Sequence, residues 1–248
     1  MPSWALPLRD REPAEILYAG QLSAVLSAAD FPMRLVWTQT MWRRLLHALA
    51  AGRDIAPPDY PGAQADLQLS LEGRLLPSDA AMVVGSVSPW IEAILYGRGC
   101  RRIASIDLHP AVSEIEGVRS IDYRALARSD AGRPDILIAY STVEHIGLGR
   151  YGDAEDPEGD VTWMRDFAQR RLCPGQYFLL AVPLGEGDST CDAHRIYGPD
   201  RLARLLAGWT LVEAIFQGRR FDRAPYAGDF DGEDWQRQPV LVLQRNAE

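Results

Sequence analysis

The feature that most constrains the fold is an apolar run in mid-chain that ends abruptly in polar residues. Residues 135–140 read DILIAY, the partly β-branched pattern of a parallel strand buried on both faces. Residues 141–145, STVEH, follow at once and carry a carboxylate and an imidazole. In open α/β sheets, ligands bind just beyond the carboxyl ends of the parallel strands. This stretch therefore predicts both a buried strand and one edge of a ligand site.

Strand and helix patterns alternate from about residue 80 to the end of the chain. Such alternation favours a parallel sheet with helices on both faces. We predict an α/β, Rossmann-like fold with a seven-stranded, mostly parallel sheet. Only a loop, residues 217–238, separates the last two strands, so the last strand is expected to be antiparallel. The predicted strands are residues 81–85, 102–107, 117–122, 135–140, 176–183, 209–216 and 239–244, and the predicted helices are residues 91–96, 161–172 and 199–206.

The first 64 residues have a different pattern and are predicted to be a helical extension with a linker. Residues 14–26 and 33–51 carry apolar side chains at helical spacing, and residues 52–64 contain Pro57-Pro58 and Pro61-Gly62. The predicted division is therefore 1–64 for the extension and 65–248 for the α/β domain. The extension is expected either to cover a bound cofactor or to mediate formation of a homodimer.

Charge and cysteine usage narrow the class of protein. A net charge of −8 disfavours nucleic acid as a partner, because phosphate binders present a basic face. Three separated cysteines, without C-x-x-C spacing, favour a reducing compartment such as the cytoplasm. No uninterrupted apolar stretch reaches about 18 residues, so no membrane span is expected.

Three predicted strand ends carry the residues that point to a ligand. Gly85-Ser86 follows the first strand, Asp107 ends the second, and residues 141–145 follow the fourth. A glycine lets a ligand approach the backbone, and an acid at the end of the second strand can accept hydrogen bonds from a ribose diol. The loop after Gly85 lacks the other glycines of G-x-G-x-x-G, which disfavours a phosphate cradle. These features predict a nucleoside-containing cofactor without phosphates, such as a sulfonium.

The chain resembles the class I S-adenosylmethionine-dependent methyltransferases in its seven strands, the acid ending the second and the L-x-PG before the fifth. More narrowly, VVGSVSPWIEAILYGRG, EHIGLGRYGDAEDPEGD and VPLGEGDSTCDAHRIYGPDRL resemble a methyltransferase-like family, domain of unknown function 268. The resemblance covers residues 80–209. It implies S-adenosylmethionine as cofactor and suggests a sugar or glycan hydroxyl as acceptor.

The resemblance also implies roles for seven residues around that cofactor. Gly85 and Ser86 would lie near its methionine part, and Ser141 would line the pocket. Asp107 would hold the ribose hydroxyls, and Leu108 would flank the adenine. Asp122 would meet the adenine amino group, with Tyr123 beside it.

A histidine is the first candidate for proton transfer. Methyl transfer to oxygen needs a base for the acceptor proton, and His145 has an imidazole whose ordinary pKa is about 6.5. Glu144 could orient it; alternatively His145 caps the turn. His194, after the fifth strand, could reach the same edge. Substrate-binding or purely structural roles remain open for Arg150, Tyr151, Arg195 and Tyr197.

The acidic loop before residue 161 has two interpretations. Asp153, Asp156 and Asp160 could join a histidine in a divalent-metal site of oxygen and nitrogen ligands. Alternatively these acids form a solvated face or pair with arginine. The leading hypothesis is a cytoplasmic methyltransferase acting on a small-molecule or glycan hydroxyl. The alternatives are a non-catalytic binding module of the same fold and a metal-dependent enzyme that uses this edge.

Overall fold

A computed structural model gives the fold and describes residues 35–128, 132–191, 194–226, 228–229, 233 and 236–247. The predicted helix over residues 14–26 lies outside these residues. The described strands are β1 (Val36–Trp37), β2 (Ala80–Val84), β3 (Arg102–Asp107), β4 (Val112–Ser113), β5 (Val118–Asp122), β6 (Ile136–Tyr140), β7 (Tyr177–Ala181), β8 (Ser189–Cys191), β9 (His194–Ile196), β10 (Trp209–Phe216), β11 (Arg219–Phe221) and β12 (Val240–Arg245).

The helices alternate with these strands. The described α-helices are α1 (Gln39–Ala50), α2 (Ala63–Ser70), α3 (Trp90–Gly97), α4 (Gly159–Trp163), α5 (Gln169–Arg171) and α6 (Pro199–Leu205). A π-helical segment, Met164–Ala168, joins α4 to α5, and short 3₁₀ helices cover Tyr123–Arg128 and Val143–His145. The helix predicted for residues 161–172 is thus one helical stretch that begins two residues earlier and is widened in its middle.

The main sheet is mixed and has eight strands in the order β11-β10-β12-β7-β6-β2-β3-β5. The five strands from β7 to β5 run parallel, which confirms the predicted α/β class. Strand β12 is antiparallel to both of its neighbours, β7 and β10, as expected for the last strand. The carboxyl ends of β2, β3 and β6 consequently meet at one edge.

The eighth strand, β11, lies inside the stretch that was predicted to be a loop. It pairs with β10 through a two-residue turn, Gln217-Gly218, in which both residues have positive φ values of 50° and 72°. Positive φ at both turn positions matches the twist of a hairpin. The backbone N–H groups of both residues donate to the buried carboxylate of Asp66 on α2, at 2.8 and 2.7 Å. This long-range contact stabilises a turn that the local sequence does not predict.

The central strands β2 and β6 are apolar and buried at every residue, because helices cover both faces of the sheet there. On one face, Ala81 and Val83 of β2 pack in a cluster with residues of α1, α2 and α3. On the other, Met82 and Val84 pack in a second cluster with residues of α4 and α6. Alternate side chains of one strand thus serve two separate cores.

The helix predicted from residue 33 begins later, at Gln39. Thr38 is its N-cap, and its side-chain oxygen accepts a hydrogen bond from the N–H of Met41 at 3.2 Å. Val36 and Trp37 instead form β1, which pairs in parallel with β4. Trp37 is buried as a strand residue, so the apolar pattern of the helix extends past its N-cap, Thr38. The spacing of apolar residues alone therefore could not show where the helix begins.

Helix α2 spans the predicted boundary between residues 64 and 65. The division into an extension and a domain stays a prediction. Across the described part of the chain, no helix is long and apolar enough to cross a membrane.

Candidate active site

A cavity of about 230 Å³ opens at the sheet edge where β2, β3 and β6 end. These three strands are neighbours, because β2 pairs with both β3 and β6. The wall contains most of the residues predicted for a cofactor site, namely Gly85, Ser86, Asp107, Leu108, Tyr123 and Ser141. The candidate base His145 also lines it.

Gly85 makes the close turn that ends β2. Its φ of 77° lies in the left-handed region, and a Cβ there would stand 2.2 Å from Thr142 Oγ1. The Thr142 hydroxyl in turn donates to the carbonyl of Val84 at 3.0 Å. The ends of β2 and β6 are therefore in direct contact at this point, and only glycine fits.

Asp107 ends β3 and presents a half-buried carboxylate to the cavity. Its Oδ1 accepts a hydrogen bond from the N–H of His109 at 2.7 Å, which orients the side chain. Burial raises the pKa of Asp107, while N–H donors from His109, Ser86 and Leu108 act in the opposite direction. A carboxylate held in this way is ready to accept hydrogen bonds from a ligand diol.

An aromatic group borders the same side of the cavity. Trp163 stacks on Phe167, with ring centroids 4.8 Å apart, and Phe167 lies 5.4 Å from Tyr123. Trp163 and Tyr123 line the cavity. Trp163 immediately precedes the π-helical segment, and such segments are frequent at functional sites. The group provides a flat apolar surface suited to a nucleobase.

The end of β6 holds a buried carboxyl beneath the cavity wall. Glu144 is 1% exposed, and its Oε1 accepts a hydrogen bond from the Ser141 hydroxyl at 2.6 Å. Its Oε2 makes no hydrogen bond to any described residue. Burial raises the pKa of Glu144 to about 7. Ser141 itself has a φ of 48°, unusual for a residue with a side chain, and this turn brings its hydroxyl over the carboxyl.

His145 stands between this carboxyl and the cavity. Its Nε2 lies 3.8 Å from Glu144 Oε1, and its ring makes edge contacts with Tyr151 at 5.4 Å and His194 at 6.1 Å. The structure thus brings together the predicted base, its predicted carboxylate and the second predicted histidine. His194 is not among the cavity-lining residues.

Sequence reasoning missed several wall residues. Trp90 and His109 follow the ends of β2 and β3 in the chain, so their positions after predicted strands could have marked them as candidate site residues. Tyr60 comes from the segment predicted as a linker, and its ring lies 5.3 Å from that of Tyr140. Burial raises the pKa of Tyr60 to about 12, so its hydroxyl remains a donor at neutral pH. No local sequence pattern predicted that Tyr60 would line the cavity.

Four residues predicted for the site do not line the cavity. Asp122 pairs with Arg124, accepting from its backbone N–H at 2.8 Å, and does not line the cavity. Arg150 is outside the wall, although the Tyr151 beside it lines the cavity. Arg195 is 3% exposed and donates to the carbonyl of Ile146 at 2.6 Å, and the buried Tyr197 is likewise outside the wall. Both side chains contact the loop after β6 and α4 instead of the cavity, and their predicted substrate-binding roles stay predictions.

The three acids of the predicted metal site are engaged separately. Asp160 is fully buried and binds Arg201 and the Tyr197 hydroxyl, at 2.6 and 2.8 Å. Asp153 Oδ2 accepts from the N–H of Gly147 at 2.6 Å, and Asp156 caps its own turn. Within the described ranges, no group of three or more His, Cys, Asp or Glu side chains could hold a metal ion. The acidic run serves loop structure because each carboxylate satisfies nearby donors.

The cavity wall favours a positively charged ligand. Asp107 and Asp153 contribute carboxylates to it, and no arginine is among the described residues that line it. The faces of Tyr60, Tyr140 and Trp90 are also compatible with a cation. An anionic phosphate would find no arginine partner among the described residues of this wall.

Known structures share this architecture. A 1,6-didemethyltoxoflavin-N1-methyltransferase from Burkholderia thailandensis, solved with 1,6-didemethyltoxoflavin and S-adenosylhomocysteine bound, matches with a TM-score of 0.51. That match has 17% identity and covers 87% of this chain and 93% of the other. The CcbJ methyltransferase from Streptomyces caelestis matches with a TM-score of 0.48 and 15% identity, over 77% of this chain and 94% of the other. No curated protein matches the chain.

At 17% identity, the match to the Burkholderia thailandensis methyltransferase shows the fold alone, and this chain shares that fold. The family described as "Caenorhabditis protein of unknown function, DUF268" matches residues 78–238. The match takes in β2 to β11 and the whole cavity edge formed by β2, β3 and β6. This chain is therefore a member of the DUF268 family.

Proposed function

We propose that this protein is an S-adenosylmethionine-dependent methyltransferase that methylates a hydroxyl group of a small molecule. One observation carries the proposal: on a methyltransferase fold, the cavity at the strand ends joins Gly85, Asp107 and His145 in one wall. The S-adenosylhomocysteine in the Burkholderia thailandensis methyltransferase supports the choice of cofactor.

The residues present fit this cofactor. Asp107 offers a pre-oriented carboxylate for the ribose hydroxyls. The rings of Tyr123 and Trp163 line the same cavity and offer flat surfaces for the adenine. The anionic wall without arginine complements the positive sulfonium. Gly85 and Ser86 leave the backbone open to the methionine part.

The bound cofactor would supply an activated methyl group. The chain must then orient the acceptor and remove its proton. His145, in the cavity wall, would accept the hydroxyl proton on its imidazole as the new oxygen–carbon bond forms. Glu144, 3.8 Å from His145 Nε2, would stabilise the resulting positive charge in its ionised form, which predominates above its raised pKa of about 7.

For the acceptor, we propose an uncharged small-molecule hydroxyl and place sugars first among the compounds to test. The hydroxyls of Tyr60 and Ser141 lie in the wall near His145 and can bind acceptor oxygens, while the rings of Tyr140 and Trp90 supply flat apolar surfaces. This arrangement suits a ligand that has both polar edges and apolar faces.

The first test is calorimetric titration of S-adenosylhomocysteine into the purified full chain. We expect micromolar binding, and we expect Asp107→Ala to weaken it by about 10- to 100-fold, the equivalent of a lost charge-assisted hydrogen bond. Asp122→Ala is the matched control, because this acid ends the neighbouring strand outside the cavity wall and its loss should leave affinity unchanged.

Two outcomes would contradict the proposal. Unchanged affinity in a folded Asp107→Ala variant would show that the cofactor does not occupy this edge. If the wild-type chain binds neither S-adenosylhomocysteine nor S-adenosylmethionine, with or without magnesium, the non-catalytic binding module becomes the better interpretation.

A further inference from the structure

A second buried carboxyl lies behind the cavity, and the chemistry proposed above does not use it. Glu92 on α3 is 0% exposed and does not line the cavity. Its Oε2 lies 3.0 Å from the Oγ of Ser86, which does line the cavity. Ser86 follows Gly85 directly, in the loop that lacks the second and third glycines of G-x-G-x-x-G.

The hydrogen bonds around Ser86 indicate which form of Glu92 is present. Ser86 Oγ lies 3.0 Å from Glu92 Oε2 and 3.1 Å from the carbonyl oxygen of Ser88. If Glu92 is ionised, both neighbours only accept, and they compete for the single hydroxyl proton. If Glu92 is protonated, it donates to Ser86 Oγ, and the Ser86 hydroxyl donates to Ser88. The protonated form satisfies all three groups.

The surroundings of Glu92 also favour the protonated carboxyl. Its Oε1 makes no hydrogen bond to any described residue, which is costly for a buried carboxylate. Burial raises the pKa of Glu92 to about 7, and the charge of Asp107 acts in the same direction. The hydroxyl of Ser105 on β3 faces the same carboxyl and acts against the rise.

Helices α1 and α2 also pack in the cluster around α3, and their titratable groups include His47 and Asp66. His47 of α1 lies against Arg53, with Nδ1 and Nη2 3.3 Å apart. Asp66 of α2 accepts from the Gln217-Gly218 turn. The groups that act on Glu92 from the sheet side are Ser86, which follows β2, and Ser105 and Asp107 of β3.

We propose that protonated Glu92 is a positioning residue that holds the Ser86 loop in the shape required to bind the cofactor. This inference rests on the proposed function. The N–H of Ser86 acts on the carboxylate of Asp107, so the loop connects Glu92 to the ribose anchor. Ionisation of Glu92 disrupts the Ser86–Ser88 hydrogen bond and adds a negative charge beside Asp107. Cofactor affinity therefore falls as Glu92 loses its proton.

The test is calorimetry with S-adenosylhomocysteine at pH 6 and pH 8. If the protonated form alone binds, wild-type affinity falls by about tenfold between these values, in proportion to the competent fraction. Glu92→Gln, whose amide can donate to Ser86 permanently, keeps the pH 6 affinity at both values. Glu116→Gln removes an exposed carboxylate and retains the wild-type fall. Glu92→Ala, which cannot donate, binds weakly at both.

A fall in affinity that is equally large in Glu92→Gln overturns the positioning role, and so does a wild-type affinity that does not change with pH. A ligand-free measurement separates this failure from failure of the proposed function. Urea unfolding at pH 5 and pH 8 should show a smaller loss of stability in Glu92→Gln than in wild type, because the buried carboxyl is protonated only in the folded chain at intermediate pH.

If the wild-type chain binds no S-adenosylhomocysteine at any pH, the proposed function fails and the link between Glu92 and the cofactor fails with it. The unfolding comparison then still decides whether Glu92 is protonated in the folded chain. Equal pH dependence of unfolding in both proteins would overturn that assignment.

Discussion

At the scale of single residues, His145 is the group whose loss should separate binding from turnover. It lines the cavity beside Glu144, whereas the predicted cofactor contacts lie at the ends of β2 and β3. We expect His145→Ala to retain affinity for S-adenosylhomocysteine and to lose about 10²- to 10⁴-fold in methyl transfer, the usual contribution of a general base. The assay is transfer of labelled methyl to an acceptor panel in which sugars come first.

The control for this variant is His47→Ala, which removes an exposed histidine of α1 far along the chain from the site. It should retain full activity. If His145→Ala retains activity as well, His145 has a structural role in the turn after β6.

Gly85 gives a second prediction at this scale. Gly85→Ala should destabilise the fold by about 2–4 kcal/mol, because it combines a positive φ with a Cβ 2.2 Å from Thr142 Oγ1. Gly73→Ala is the matched control, since its φ of 70° is similar but nothing lies within 4 Å of the added methyl. It should cost only about 1–2 kcal/mol. Equal costs in urea unfolding would mean that the Thr142 contact is not tight.

At the scale of elements, a buried ionic network fastens the loop after β6 to the helices that cover the sheet. Asp160 at the start of α4 binds Arg201 of α6 and the Tyr197 hydroxyl. Arg195 of β9 lies 3.8 Å from the same carboxylate and donates to the carbonyls of Glu144 and Ile146. Through these contacts the segment that carries His145 is held against β9 and α6.

Removal of the Asp160 charge should therefore loosen the site as well as the fold. We expect Asp160→Asn to cost about 3–5 kcal/mol, because it leaves buried arginine charge without its partner. Asp166→Asn, in the adjoining π-helical segment, breaks only exposed pairs with Arg165 and Arg170 and should cost less than about 1 kcal/mol. Urea unfolding compares the two, and similar costs would contradict the assigned network.

At the scale of the whole molecule, the buried carboxyls should make stability depend on pH. Burial raises the pKa values of Glu92 and Glu144 to about 7, from an ordinary value near 4.5. The folded chain thus retains protons that the unfolded chain releases. Stability is then highest below the unfolded pKa and falls as pH rises towards the folded one.

We expect the ligand-free protein to lose on the order of 3 kcal/mol for each of these two groups between about pH 4.5 and pH 7. The combined variant Glu92→Gln, Glu144→Gln should unfold with a flatter pH dependence in urea. Stability that instead increases steadily over this interval would show that the two carboxyls are ionised in the folded protein.

The local sequence determined most of the sheet. Strands β2, β3, β6 and β10 were predicted to within a residue or two, from short stretches rich in apolar and β-branched residues. The carboxyl ends of parallel strands lie at the same edge of a sheet, so Gly85, Asp107 and His145 were predicted to lie at one edge. The structure places all three in the wall of one cavity. Their chemical roles, the homodimer and the cytoplasmic location stay predictions.

Tertiary contacts decided the rest. Asp66 stabilises a hairpin turn about 150 positions further along the chain, and Tyr60 enters the cavity from a segment that reads as a linker. Asp160 and Arg195 were predicted as metal and substrate ligands, and the structure places them 3.8 Å apart in the interior, where Asp160 also binds Arg201. An ionisable side chain has the same sequence signature in a binding site as in a buried network. Only the three-dimensional arrangement of its partners and its access to water distinguishes the two.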